Sequence, residues 1–250
     1  MSLQIVTLTE RPDLRAAIFA DEMQYSIWPE FMRHDPVADL YYARGALDRY
    51  LDFVLVGLIG EAVVARAFSV PFCFGIAGRT ELPDAGWDGV IRWAHEDHLA
   101  GRKPHAVSAL EISLKPGIRG AGHSRAMLAA MKANARARGF ADLYAPLRPN
   151  QKHLQPHTPM AQYVQRLRPD GLPADAWLRT HVRDGGRVVK LAACSMTIVG
   201  TVAEWSRWTG RTFATSGPHA IEGALTPVII SLEHDHGIYV EPNVWVHHRL

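Results

Sequence analysis

Residues 106 to 147 restrict the fold of this chain more than any other stretch. Ala106 to Leu114 alternates, with Leu110, Ile112 and Leu114 on one side and Ala109, Glu111 and Ser113 on the other. That period of two predicts a strand. A glycine-bearing loop runs from Lys115 to Gly122. Ser124 to Arg138 then sets Met127, Leu128, Met131 and Ala135 on one helical face. Gly139 stands where a helix end favours a left-handed residue, and Asp142 to Leu147 reads as the next strand. A strand, a crossover helix and a second strand in one sheet require the two strands to be parallel. The chain is therefore expected to be an α/β protein.

The rest of the sequence adds elements around this unit. Gln4 to Thr9 reads as a first strand, and Pro12 to Met23 and Asp39 to Tyr50 as helices, with Asp39 an N-cap. Asp52 to Gly60 and Ala62 to Phe74 form a hairpin about Gly60-Glu61. Trp87 to Ala100 is helical. Thr158 and Pro159 open a helix toward Leu167. Val182 to Thr201 reads as a second hairpin turning at Gly185-Gly186, and Thr226 to Leu232 and Ile238 to Val246 as closing strands. With no repeat or linker, residues 1–250 read as one domain, its core at about 52–165 and a β-rich elaboration at 170–250.

Bulk properties exclude several classes. Hydrophobic residues make up 48% of the 250, so the chain can bury a core. Against 25 acidic residues stand 27 Lys and Arg, too even a balance for a nucleic-acid surface. The most apolar run, Phe53 to Gly60, stops at Glu61, short of the roughly 20 residues that span a bilayer. Acidic residues break up the first 30 positions, and the two cysteines, Cys73 and Cys194, lie far apart. A cytoplasmic protein without membrane or nucleic-acid partners is expected. The 13 histidines include His234-Asp235-His236 and His247-His248, but neither supplies a full ligand set, so no metal is expected.

The loop Arg119-Gly120-Ala121-Gly122-His123-Ser124 has a definite chemistry. A helix start carries unpaired N–H groups and the positive end of the dipole, which favour a phosphate. Glycines permit the positive φ and close approach that let successive N–H groups converge. A tight turn joining strand to helix would use the same glycines. The P-loop would need Gly-Lys-Ser/Thr, and here His123 and Ser124 follow Gly122. The dinucleotide fingerprint would need a third glycine where Arg125 stands, and an acid at the end of the second strand, whereas Asp142 lies at its start.

Ile112-Ser113-Leu114-Lys115-Pro116-Gly117-Ile118-Arg119-Gly120-Ala121-Gly122-His123-Ser124 resembles motif A of the GCN5-related N-acetyltransferases (GNAT). The order is the same: an alternating strand, a proline three residues before the arginine, Arg-Gly-x-Gly, and a helix. The close resemblance covers Ala106 to Leu147, with looser overlap at Asp52 to Phe74 and Asn150 to Tyr163. It implies a mixed sheet flanked by helices that splays between the two strands, with acetyl-CoA or another acyl-CoA in the opening. Ile112, Ser113 and Leu114 would meet pantetheine and the thioester, and the amides of Arg119, Gly120, Ala121, Gly122, His123 and Ser124 the pyrophosphate. Asn150 matches a CoA-side asparagine.

The resemblance further implies acyl transfer to a small-molecule or peptide amine. Glu111 resembles family carboxylates that accept the amine's proton; its other reading is a strand residue paired with a cation. Tyr163 takes the place of the family's acid, although its distance from Asn150 exceeds the usual spacing; Tyr144, Ser195 and His181 compete, and core packing is the other reading. Trp177, Trp205, Trp208 and Trp245 line an acceptor pocket or fill the core. Arg136, Arg138, Arg148 and Lys152 approach the CoA 3′-phosphate or stand in water. A non-catalytic acyl-CoA-binding or sensing module is the alternative function, and a homodimer is compatible with either.

Overall fold

A computed structural model describes residues 2–20, 23, 28–42, 45–118 and 120–250. Its first strands follow the sequence reading. β1 (Gln4–Thr7) pairs antiparallel with β2 (Val54–Ile59), and β2 with β3 (Ala62–Phe72) across Gly60, whose φ of 60° makes the hairpin turn. Between β1 and β2 the helices are shorter than periodicity suggests. Pro12–Leu14 is a 3-10 turn leading into α1 (Arg15–Ile18), and Asp39 begins α2 (Asp39–Tyr42).

Next come α3 (Gly86–Leu99), β4 (Ala106–Leu114), α4 (His123–Ala137) and β5 (Asp142–Leu147). Both strands have the bounds that alternation predicts. Met127, Leu128, Met131 and Ala135 of α4 are at most 1% exposed. Each such buried Leu or Met side chain contributes roughly 1.5–3 kcal/mol. Met127, Met131 and Ala135 pack with Ala65, Ala67, Val107, Ala109, Leu143 and Ala145 on one face of the sheet. The other face carries the larger cluster, built on Phe68, Phe72, Trp87, Trp205 and Trp245.

Simple alternation fails within β4. Phe68 of β3 pairs with Glu111 while Ser69 pairs with Ala109, so Leu110 is an extra residue, a β-bulge. The bulge moves Leu110 to the face opposite Ile112 and Leu114, which share the α4 side with Ala109. Glu111 consequently lies on the face of Leu110, Phe68 and Trp87.

The C-terminal third departs most from expectation. Residues 182–201 do not form a hairpin. Asp175 caps α6 (Ala176–Arg183), its Oδ1 accepting from the N–H groups of Trp177 and Leu178 at 3.0 Å. That helix follows α5 (Met160–Val164), which ends before Leu167 because Leu167 bridges to Pro173. Gly185 and Gly186 end α6, and a Cβ on Gly186 would stand 2.7 Å from the His181 carbonyl. β6 (Arg187–Gly200) then runs unbroken into α7 (Val202–Thr209), which Thr201 and Glu204 start with a reciprocal capping box. β7 (Gly217–His219), β8 (Val228–Ser231) and β9 (His236–Arg249) complete the chain.

Among the described residues the nine strands form one mixed sheet in the order β1-β2-β3-β4-β5-β9-β8-β7, with β6 on the remaining edge of β9. β6 pairs along that edge from Gly237 to His247, interrupted by irregularities at Val189 and at residues 193–195. The other edge is shared, β5 taking Val244 to Arg249 and β8 taking His236 to Ile238. Among these described strands only β4 and β5 run parallel. No helix among the described residues is long and apolar enough to cross a membrane.

Candidate acyl-CoA and acceptor site

The parallel pair parts almost as soon as it forms. Val107 pairs with Leu143 and Ser108 with Tyr144, after which β4 continues to Leu114 and β5 to Leu147 without contact in register. Two features of the strands favour parting: the bulge at Leu110 bends β4, and Pro146 brings no N–H to β5. The opening is a cavity of about 810 Å³, with Ala109 to Leu114 on one wall and Ala145 to Arg148 on the other. Trp28, Met32 and Tyr42 come from the N-terminal segment and Trp87 from α3.

Gly120 and Ser124 border this cavity. Gly120 (φ 87°) and Gly122 (φ 82°) are left-handed, and a Cβ on either would meet nothing within 4 Å. Gly122 occupies the N-cap of α4 without a side-chain cap, so the first amides of the helix have no side-chain acceptor among the described residues. Ala121 is exposed and His123 half-buried in the same turn. Arg119 lies outside the described residues. Ile112, Ser113 and Leu114 line the β4 wall, and Asn150 lies on the rim beyond β5. The Ser113 hydroxyl is buried with no partner among the described residues. An open glycine cradle, an uncapped helix start and an orphaned hydroxyl on the wall fit an acyl-CoA.

Each wall also carries a buried ion pair, both on the sheet face opposite α4. On β4, Glu111 Oε1 accepts from Arg66 Nε at 2.7 Å, the two side chains being 8% and 5% exposed. The Tyr42 hydroxyl lies 3.4 Å from Glu111 Oε2. Glu111 is thus a cavity residue and a cation partner at once. On the far wall Arg148 Nε reaches both oxygens of Glu241, at 3.1 and 2.9 Å. Arg148 is therefore not a surface cation. Glu241 also accepts from the Tyr239 hydroxyl at 2.7 Å and from Asn243 Nδ2 at 3.1 Å. Ser195 Oγ donates to Asn243 Oδ1 at 2.6 Å and accepts from the Trp87 N–H at 2.8 Å. The sequence marked residues 241–245 only as a bulged strand; two of them, Glu241 and Asn243, line the cavity.

Trp87 is set by the first turn of α3. Its Nε1–H donates to the carbonyl of bulged Leu110 at 3.1 Å. A Cβ on Gly86 would stand 2.2 Å from Ser195 Oγ, so only glycine lets the helix start this close to β6. In the same turn Asp88, 3% exposed, lies beside Asp35, also 3% exposed, and Asp88 Oδ1 and Asp35 Oδ2 are buried without a hydrogen-bond partner among the described residues. One proton between the carboxyls satisfies both, and burial with the Asp35 charge carries Asp88 from its ordinary 3.8 to about 9. Across that window the folded protein keeps a proton that the unfolded chain has released, so stability falls as pH rises. Asp88→Asn supplies a donor to Asp35 and removes the titration. The variant is expected to melt ~5 °C or more above the parent at pH 8 and to lose most of the decline between pH 5 and 9. Melting curves across that range check it; parallel curves would show that the pair does not control stability.

Tyr163 is not brought to the opening. Its side chain packs among Leu147, Met160, Leu178 and Val244, and its hydroxyl donates to Asp175 Oδ2 at 2.9 Å. Burial and that carboxylate raise its pKa. Core packing is thus its role in the structure. Of its competitors, Ser195 is committed to Trp87 and Asn243, and Tyr144 stacks on His247 outside the cavity. His181 does line the cavity, beside Trp177, with its Nδ1 3.0 Å from His248 Nε2. Burial pushes the two imidazoles down to about 3 and about 4, so both stay neutral. Trp205, Trp208 and Trp245 belong to the core. Lys152 is buried, donating to the carbonyls of Gln155 and Leu225, and does not line the cavity. Arg138 pairs with Asp52.

A parallel pair that parts beside a glycine-rich, uncapped helix start leaves an opening that suits a cosubstrate with a phosphate-bearing arm, as the resemblance to the acyltransferases implies. No protein-family model matches the chain. The arginine N-acetyltransferase avaD of Aspergillus versicolor is 31% identical to it over 272 residues, covering 98% of this chain and 93% of the relative. The loading GNATL domain of CurA from Lyngbya majuscula has a similar fold, with a TM-score of 0.59 at 15% identity over 99% of this chain and 96% of that one. The GphF GNAT-like decarboxylase, solved with isobutyryl-CoA, gives 0.50 at 17% identity over 100% and 99%. The chain belongs to the GCN5-related N-acetyltransferase superfamily and is an acyl-CoA-dependent acyltransferase.

Proposed function

We propose that the protein transfers acetyl directly from acetyl-CoA to a small amine bound between the N-terminal segment and the open ends of β4 and β5. Arginine is the first acceptor to try, because the 31% identical relative is named for acetylating it. The observation that carries the reading is the cavity itself, which joins the glycine loop to Glu111 along one wall. The amides of residues 120–124 hold the pyrophosphate, Ser113 and its strand neighbours Ile112 and Leu114 meet the pantetheine arm, and Asn150 closes the rim.

In the transfer step the amine nitrogen forms a bond to the thioester carbonyl carbon and the carbon–sulfur bond breaks. Glu111, directly or through a water, takes the proton that the nitrogen sheds. The departing thiolate gains a proton from the Tyr42 side of the cavity, where a phenol stands beside Glu111. This role moves to Tyr42 because Tyr163 is held by Asp175. Residues 1–250 act as one catalytic unit, since the cavity draws on residues from Phe19 to Asn243. A cytoplasmic location suits the two free thiols, Cys73 and Cys194.

Release of free thiol from acetyl-CoA in the presence of an amine panel tests the reading. Amine-dependent thiol release is the expected result. Tight acetyl-CoA binding with no release by any amine would leave an acyl-CoA-binding or sensing module instead.

A further inference from the structure

Arg148 has no part in the transfer step, yet it stands at the open end of β5. It shares with Tyr144 the face of that strand opposite Leu143 and Ala145, so it lies away from α4 and toward Trp28, whose ring centroid is 5.7 Å from its guanidinium carbon. Both members of the ion pair line the cavity, and with Glu241 0% exposed and Arg148 20% the cation is the more accessible of the two. Its Nε is committed to Glu241 and its Nη2 to the Gly223 carbonyl at 2.5 Å. Nη1 makes no hydrogen bond to the described residues. Glu241 also accepts from the neutral Tyr239 and Asn243, so it is the counter-ion of Arg148, and the Nη1 edge is the part of the guanidinium left for a further acceptor. Three anchors and one open donor edge describe a pre-organised fork for an anion.

We propose that Arg148 holds the carboxylate of the acceptor, so that the enzyme acetylates amino acids in preference to amines without that group. The inference rests on the cavity being the site of acyl transfer. It sets the two ends of a zwitterion on opposite walls: the amine toward Glu111 on β4 and the carboxylate toward Arg148 on β5. A site built to hydrogen-bond a charged group discriminates strongly against the analogue lacking it, because its buried donors are then left unpaired.

The test compares kcat/KM for amino acids with that for their decarboxylated forms: arginine with agmatine, ornithine with putrescine, lysine with cadaverine. The parent enzyme is expected to favour the amino acid by ~100-fold in at least one pair. Arg148→Gln combined with Glu241→Gln removes both charges and so avoids a stranded buried carboxylate. That variant is expected to bring the preference to within about threefold of unity while retaining acetyl-CoA affinity by calorimetry. Arg148→Lys, which keeps the charge but loses the fork, should fall between. Equal use of both members of every pair, or a preference unchanged in the double variant, overturns the assignment of Arg148. So does the absence of transfer to any of the six compounds. No thiol release with any member of the wider amine panel, or no binding of acetyl-CoA, would instead overturn the transferase reading beneath it.

Discussion

Gly122→Glu is expected to lower acetyl-CoA affinity by at least ~100-fold while the fold survives. The room for a side chain is available, since a Cβ at this position meets nothing within 4 Å. What the variant changes is the phosphate cradle. Gly122 has a φ of 82° at the start of α4, a conformation that costs an L-residue roughly 1–2 kcal/mol. A carboxylate there also competes for the amides that a diphosphate needs and repels its charge. Hydrogen bonds to a charged group contribute roughly 1.5–3 kcal/mol each, so losing one or two accounts for about two decades of affinity. Gly122→Ala separates the causes, carrying the strain without the charge, and is expected to lose about tenfold. Calorimetric titration with acetyl-CoA and with CoA reads both; parental affinity in the Glu variant would remove the loop from the site.

Glu111→Gln is expected to cut kcat by ~100-fold or more, the usual scale for a lost general base. Acetyl-CoA affinity should stay within about threefold, because the cosubstrate is held mainly by the loop and the β4 edge. The amide oxygen of Gln can still accept from Arg66 Nε, now 2.7 Å from Glu111, so the wall keeps its shape although Arg66 loses its counter-charge. Removing one partner of a buried pair can cost about 3–5 kcal/mol. A melting curve must therefore accompany the kinetics. Arg66→Gln serves as the matched control: it weakens the same pair but retains the carboxylate. If Glu111→Gln and Arg66→Gln lose turnover equally, Glu111 supports the wall and does not move the proton.

What the sequence made legible was local. The bounds of Ala106–Leu114 and Asp142–Leu147 were readable to the residue because a proline or glycine lies close to each end, although the alternation inside β4 breaks at Leu110. The loop was readable because anion binding at a helix start needs glycine at fixed places. The error at Leu110 was unavoidable from period alone, since a bulge inserts one residue without any composition signal. The hairpin expected at Gly185-Gly186 had a different cause. Paired glycines serve helix ends as well as turns, and Asp175 eleven residues upstream of Gly186 was the cap that decided between them. Thr201 and Glu204, by contrast, carried a readable capping-box signature for α7. Arg148 and Glu241 are 93 residues apart in the chain, and only the sheet order makes them neighbours. Tyr163 fell in the family's region but not in its geometry, because Asp175 turns its hydroxyl away from the opening.

The seating of β9 beside β5 has a bearing on how this protein is made. Asp142 waits for Arg249 and Leu147 for Val244, so one side of the cleft is completed by a strand that is synthesised much later than the motif. Until then a nascent chain displays the whole glycine motif with a bare neighbouring strand and no counter-ion for Arg148. A fragment stopping near residue 165 would keep the family signature intact yet lack half the vessel, and assembly should wait on these distant partners rather than on the helix that carries the motif.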